Sequence, residues 1–421
     1  MGANAIGQGI NVLIQVLSLP LFLHFWDNST YGRWLVISAI PSYLSMADAG
    51  MLYAAGNKMA MATARADIAA ARRIFQSALV FILVISVSFI AIAALLCIYL
   101  PFGIIASEIS TGLRIPLFLL SCSIVLSLFC GLADSLMRAT GRYPLGTLLS
   151  NLVRLSEWVG YAGGLLWDAS FTSVAAGGFL CRLIGFLILM RTSAAGMHGI
   201  KWGLSEFTAD EIRSLAKPAF SFMLFPAAFA LSFQGVTLVI GAALGTSAVA
   251  IFSVYRTIAR LSVQVVSILS LAVGPEFSRL SGSGDFSGMT DLYKKSLRAS
   301  FRISLAVIFL VSVATPLLLH VWTKGRIGFD PELLIILMAY ALASCLAHVP
   351  RTVLLSINQH SLLAVYTLFI SILLLGGSWV FAGIFGLFGV GLSMLISEIA
   401  LSCISFHLKR RWLVNNTRNI I

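Results

Sequence analysis

Residues 26–58 read WDNSTYGRWLVISAIPSYLSMADAGMLYAAGNK. A polar turn at Asp27–Thr30 opens the stretch, and the apolar segment after it is long enough to cross a bilayer at about 1.5 Å per residue. One acid, Asp48, lies inside that segment, and an ionisable group at such a depth is a functional candidate by default. By rise alone Asp48 sits about 24 Å from the outer end of its helix, close to Lys58, which favours a gate or packing contact over a ligand.

The rest of the chain has the same character. Of 421 residues, 59% are hydrophobic and 10% charged, far from the roughly 25% charged of soluble domains. The apolar segments are long and continuous, so the spanning elements are helices and not barrel strands. Charged and turn-forming clusters divide the chain into about twelve spans: Asn4 to Trp26, Gly32 to Asn57, Phe75 to Leu100, Leu113 to Met137, Gly146 to Trp167, Thr172 to Met190, Leu215 to Leu244, Ala248 to Val273, Ala299 to Trp322, Leu333 to Ile357, Leu362 to Ile384 and Leu387 to Leu408. The expected fold class is all-α, a polytopic membrane protein of two pseudo-symmetric six-helix lobes. Residues 1–192 form the first lobe, 193–214 a cytoplasmic connector with an interfacial helix, and 215–421 the second lobe.

The net charge of +12 does not point to nucleic acid, because no basic cluster alternates with exposed aromatics. Instead the cations sort by side. One side holds Arg33, Arg114, Lys324 and Arg326; the other holds some twenty, among them Lys58, Arg138, Lys201, Lys294, Lys295, Arg298, Arg302, Arg351 and Lys409 to Arg411. Lys and Arg concentrate on the cytoplasmic side, so both termini are expected there. The first span begins almost at residue 1 without a basic region, so no cleavable signal is read and the first helix is expected to stay. The six cysteines have no CxxC spacing, the six histidines are scattered, and neither catalytic nor nucleotide-binding motifs occur. The GxxGxG within Gly383–Gly391 joins two spans and is read as close helix packing.

Three groups of residues could carry chemistry. Asn4, Gln8, Asn11 and Gln15 form a polar stripe on the first span, either glue between helices or the lining of a hydrated cavity. A weak repeat lays Tyr31–Ile40 over Val249–Ile258. It matches the stripe with Phe222, Pro226, Phe229 and Phe233, and matches Ser38 and Ser42 with Arg256 and Arg260. Arg256 and Arg260 are one turn apart on the same face, and Arg256 lies about 12 to 14 Å from the outer end of its span. Of the remaining interior charges, Arg154 and Glu157 are expected to satisfy each other. That leaves Arg182, Arg256 and Arg260 against Glu398 and Asp48, with Glu398 a candidate partner for Arg256. Such an excess favours an anionic ligand, a phosphate or pyrophosphate, for which arginine offers planar bidentate contacts. Asp134 and Arg138 read as an interfacial pair.

Tyr31-Gly32-Arg33-Trp34, followed by Tyr43-Leu44-Ser45-Met46-Ala47-Asp48-Ala49-Gly50-Met51, resembles the polysaccharide transporter branch of the multidrug/oligosaccharidyl-lipid/polysaccharide exporter superfamily, the Wzx-type O-antigen flippases. Val249–Arg256 and Gly386–Glu398 support the resemblance, which covers essentially the whole chain. It implies two lobes around a cavity that opens alternately inward and outward. The cargo it implies is an undecaprenyl-pyrophosphate-linked oligosaccharide, carried from the cytoplasmic to the periplasmic leaflet of the bacterial inner membrane. It also implies that Arg256, Arg260 and Arg182 hold the pyrophosphate and sugar. Asn4, Gln8, Asn11, Gln15, Ser38 and Ser42 would line the substrate path, and Asp48 and Glu398 would serve gating or coupling to H+ or Na+. No other cofactor or metal is expected, and no enzymatic activity; a polymerase and a chain-length regulator of the same pathway are the expected protein partners, besides membrane lipid. A cation-coupled multidrug exporter of the same superfamily would bury unpaired acids, and a glycan polymerase would need a long outer loop.

Overall fold

The computed structural model describes residues 2–46, 50–99, 111–195, 199–357 and 361–418. Among them there is no strand. Thirteen α-helices follow one another: α1 (Gly2–Phe25), α2 (Asn28–Ser42), α3 (Met51–Ala64), α4 (Ile68–Tyr99), α5 (Arg114–Ala139), α6 (Tyr143–Trp167), α7 (Phe171–Ala195), α8 (Ala209–Ala230), α9 (Val236–Leu244), α10 (Thr246–Gly282), α11 (Phe286–Thr323), α12 (Pro331–Ser356) and α13 (Ser361–Arg418). Among the described residues nine stretches are long and apolar enough to cross a membrane, one of them running from α8 into α9. Another, α13, holds the last two expected spans: the backbone breaks at Gly386 (φ 59°, ψ −140°), a conformation that costs a residue with a Cβ dearly. Beyond the break a Cβ at Gly389 would run into the Phe381 carbonyl, so GxxGxG is a close-packed helix turn.

Two expectations need correction. The opening stretch is not one continuous helix. Pro41, which has no N–H to donate, lies at the end of α2; a 3-10 turn at Tyr43–Met46 follows, and α3 starts after Gly50, whose φ is 75°. Asp48 lies outside the described residues. Residues 274–298, expected to lie between the spans ending at Val273 and starting at Ala299, are helical through most of their length: α10 runs to Gly282 and α11 starts at Phe286, with Asp285 capping Gly288 N–H.

The chain forms two compact units, and α8 carries it from one to the other. Unit 1 comprises Met1–Asp27 and Trp34–Pro226; unit 2 comprises Asn28–Arg33 and Ala227–Ile421. Unit 1 is centred on α3, α4 and α5, with Met59, Phe75, Leu132, Leu136 and Met137 fully buried. The stretch after Gly199 forms no interfacial helix. It lies against unit 1 as an irregular strap, and Ala209–Ser214 is already the first turn of α8. Irregular backbone needs partners, and buried Gln76 supplies them. Its Nε2 donates to Lys201 O (3.2 Å) and its Oε1 accepts from Glu206 N–H (2.6 Å), while Ser77 Oγ accepts from Thr208 N–H (3.1 Å). Arg72 pairs with Glu206, Lys58 with Glu211, and Trp202 meets Phe75 edge-on.

In unit 2, Tyr255, Phe252 and Phe277 are buried completely. The Tyr255 hydroxyl donates to Gly328 O (3.0 Å) and accepts from Asp330 N–H (2.6 Å), which ties the α11–α12 turn to the first third of α10. Asn28–Arg33 docks on the start of α10: Ser29 Oγ lies 3.1 Å from Thr246 Oγ1, and Gly32 faces the Thr246 carbonyl so closely that no Cβ fits. Trp34, two residues on, belongs to a ring cluster of unit 1 with Phe22, Trp26, Tyr161 and Phe171. The Tyr-Gly-Arg-Trp motif thus serves two cores.

Gln76→Leu removes the partners of two strap backbone groups. It is expected to lower thermal stability in detergent by about 2 kcal/mol and to open residues 199–208 to protease, since each orphaned buried group costs roughly 1–3 kcal/mol. Wild-type protease resistance would show that the strap does not depend on Gln76.

Candidate functional site

The site grows out of one irregularity. Between α8 and α9 the helix widens to a π turn, Leu231–Gly235. Such turns displace a carbonyl from its regular intrahelical bond and often mark functional positions. Here the Phe233 carbonyl accepts from Thr237 Oγ1 (2.9 Å) and from Arg256 Nη1 (3.0 Å), while Arg256 Nη2 donates to Thr237 Oγ1 (2.9 Å). Arg256 is 4% exposed, so α10 and the π turn hold its guanidinium through neutral acceptors inside unit 2.

The Phe233 ring holds a second cation as well. The Arg256 guanidinium carbon lies 3.9 Å from its centroid and that of Arg260 4.8 Å, so two arginines one helical turn apart share one aromatic ring. The negative ring face offsets part of their mutual repulsion. Phe229 stacks on Phe233 at 5.7 Å and is 60% exposed, which extends the ring into a ledge. Arg260 is half-buried. The two arginines therefore differ: Arg256 is built into the wall, and Arg260 keeps accessible surface beside the aromatic ledge.

Arg182, expected beside them, lies in unit 1. Its Nη1 meets Glu157 Oε1 at 2.9 Å and donates to Ser123 O (3.1 Å); the same carboxylate oxygen accepts from Ser123 Oγ (2.7 Å) and the Tyr161 hydroxyl (2.8 Å). The expected Arg154–Glu157 pair is not formed. Glu157 points into the α5–α6–α7 interior, where Arg182 is, while Arg154 sits on the exposed side of α6. Nor does Glu398 pair with Arg256: it meets Arg351 at 2.8 Å, a residue read from the sequence as a loop cation. The interfacial pair Asp134–Arg138 forms as expected, at 2.9 Å.

On α1 the stripe divides. Gln8 is exposed, Asn11 and Gln15 are half-buried, and the side chain of Asn4 lies outside the described residues. One turn further Ser18 Oγ accepts from Trp158 Nε1 (2.8 Å), so this end of the stripe joins α1 to α6. Ser42 Oγ donates to the Ser38 carbonyl of its own helix, and Ser38 Oγ is buried with no partner among the described residues. Pro226 is exposed, and the Phe222 side chain is outside the described residues. Thr237, Arg351, Ser123 and Tyr161 were missed by sequence reasoning; the first three act across helices, at separations that carry no local spacing signal, while Tyr161 reaches Glu157 at i,i+4 on its own helix.

Arg256→Ala removes the guanidinium donors to the Phe233 carbonyl and Thr237 Oγ1 and is expected to cost about 2–3 kcal/mol in thermal unfolding, while Arg260→Ala costs less than about 1 kcal/mol. Equal losses would overturn the division between wall and surface arginine. Glu157→Gln leaves Arg182 buried without its countercharge, an expected loss of about 3 kcal/mol or more; retention of wild-type Tm would show that the pair contributes nothing.

No family model and no curated relative matches the chain. Solved structures do. An inward-facing multidrug resistance MATE family transporter of the MOP superfamily superposes with TM-score 0.76 at 16% identity, over 96% of this chain and 99% of that one. An outward-facing structure of such a transporter gives 0.70 at 15% identity, over 98% and 94%. A MOP superfamily transporter from Pyrococcus furiosus, described as having a binding pocket of reverse polarity, gives 0.60 at 13% identity, over 98% and 94%. The chain is a multi-pass membrane protein with the fold of the MATE transporters of the MOP superfamily.

Proposed function

We propose that this chain is a transporter that moves an undecaprenyl-pyrophosphate-linked oligosaccharide from the cytoplasmic to the periplasmic leaflet of a bacterial inner membrane by alternating access. The observation that carries the reading is the pair Arg256 and Arg260 over Phe233. Arg260 supplies a planar, permanently charged donor set for a phosphate oxygen, and Arg256 holds the ring and the π turn that position it. The Phe229–Phe233 ledge offers a flat apolar surface to a sugar ring. Inward- and outward-facing states among the structural neighbours support alternating access.

The second reading, a cation-coupled multidrug exporter, is favoured by the same neighbours. A cationic drug needs an available buried acid, whereas among the described residues the buried acids Glu157 and Glu398 each hold an arginine. In the glycan reading Glu398 is the coupling group: a proton or Na+ arriving there competes with Arg351 and frees the α12–α13 contact.

In proteoliposomes, Arg260→Ala is expected to slow translocation of a pyrophosphate-linked glycan at least tenfold, the loss of one charge-assisted contact of about 1.5–3 kcal/mol, with Arg260→Lys intermediate. Unchanged translocation by Arg260→Ala, or wild-type efflux of a cationic dye without glycan movement, rejects the reading.

A further inference from the structure

We propose that the first half of α11 carries a binding site for the headgroups of anionic phospholipids, formed by Lys294, Arg298 and Arg302. At 100° per residue these three side chains fall on one face of the helix. All three are exposed. The opposite face is the packed one: Met289, Tyr293, Ser296, Ser300 and Ser304 are buried, Ser300 Oγ donates to Cys345 O of α12, and Lys409 of α13 lies over the Tyr293 ring at 3.7 Å.

The basic face runs without interruption into an apolar one. Phe301, Leu305, Phe309, Val313, Leu317 and Val321, spaced four residues apart, are all exposed. From Phe301 to Val321 the helix rises about 30 Å, the thickness of the hydrocarbon core. That length sets the depth of the cations. Arg302 falls at the hydrocarbon boundary, where its stem can lie along acyl chains, and Arg298 and Lys294 fall one and two turns further out, among the headgroups.

One acid, Asp291, lies on the same face and interacts electrostatically with Lys294 and Arg298 as well as Lys295, and the cations outnumber it. Asp291 is the single acid between Phe286 and Arg302, and it pairs with Lys295 at 2.7 Å. Among the described residues no carboxylate lies within 4 Å of Lys294, Arg298 or Arg302. Three cations stacked through a headgroup layer, above an apolar stripe of bilayer length, fit a phosphodiester headgroup with acyl chains attached. The inference is independent of the transported substrate.

The test titrates phosphatidylglycerol, and phosphatidylcholine in parallel, into the purified full-length protein in detergent, with bound lipid counted by native mass spectrometry. Wild type should prefer phosphatidylglycerol. The triple variant K294Q/R298Q/R302Q should lose on the order of a hundredfold in apparent affinity for it, about fivefold per cation, with unchanged binding of phosphatidylcholine. The single variants Arg298→Gln and Arg302→Gln, each expected to lose about fivefold, keep the test decisive should the triple variant fold poorly. Equal binding of both lipids by wild type, or undiminished preference in the variants, overturns the proposal.

Discussion

A guanidinium buried at the depth of a bilayer core has no water to turn to, and that constraint organises much of this molecule. Arg256 meets it with backbone. The Phe233 carbonyl lies inside the π turn, and Arg256 of α10 donates to it together with the Thr237 hydroxyl. The irregularity in one helix and the charge in another are thus one feature, each removing a cost the other would otherwise incur. Arg260 leans on the same ring, with less of its surface enclosed.

The same constraint explains the two interior carboxylates. Glu157 concentrates three donors, from Ser123, Tyr161 and Arg182, on a single oxygen within unit 1. Glu398 is held by Arg351 within unit 2. A charge count that pools Arg182 and Glu398 with the α10 arginines therefore mixes residues from separate networks. What distinguishes Arg256 among them is that its donors go to a carbonyl and a hydroxyl, and among the described residues no carboxylate pairs with it. An anionic ligand near Arg260 would meet a field that local acids have not cancelled on the Arg256 side.

The polarity of α11 follows from the bilayer as solvent in another way. Its buried face is small and hydroxyl-rich, suited to close contact with α12, while its exposed face is apolar where hydrocarbon lies and cationic beyond it. Neither face would be stable if the helix were rotated by half a turn. The register of this helix is fixed by transfer free energies residue by residue, which is why its exposed stripe is so regular.

Much of the architecture was legible in the amino-acid order. Transfer of each side chain from water to lipid is nearly a property of that residue alone, so spans, loops, the break at Gly386 and the i,i+4 pair Asp134–Arg138 could be read locally. The partners of buried charges could not. Glu157 has Arg154 within reach along its helix, yet it faces Arg182 on α7, because helix rotation is set by packing around α5, α6 and α7. Arg351 and Glu398 are 47 residues apart, with no spacing to connect them. The π turn, the shared Phe233 ring and the docking of Asn28–Arg33 on α10 likewise depend on which faces meet. Composition and periodicity determined a helical membrane protein with two arginines one turn apart. Only tertiary packing decided that one of them belongs to the wall and the other to the surface, because that choice rests on pairwise contacts between helices and not on the residues taken one at a time.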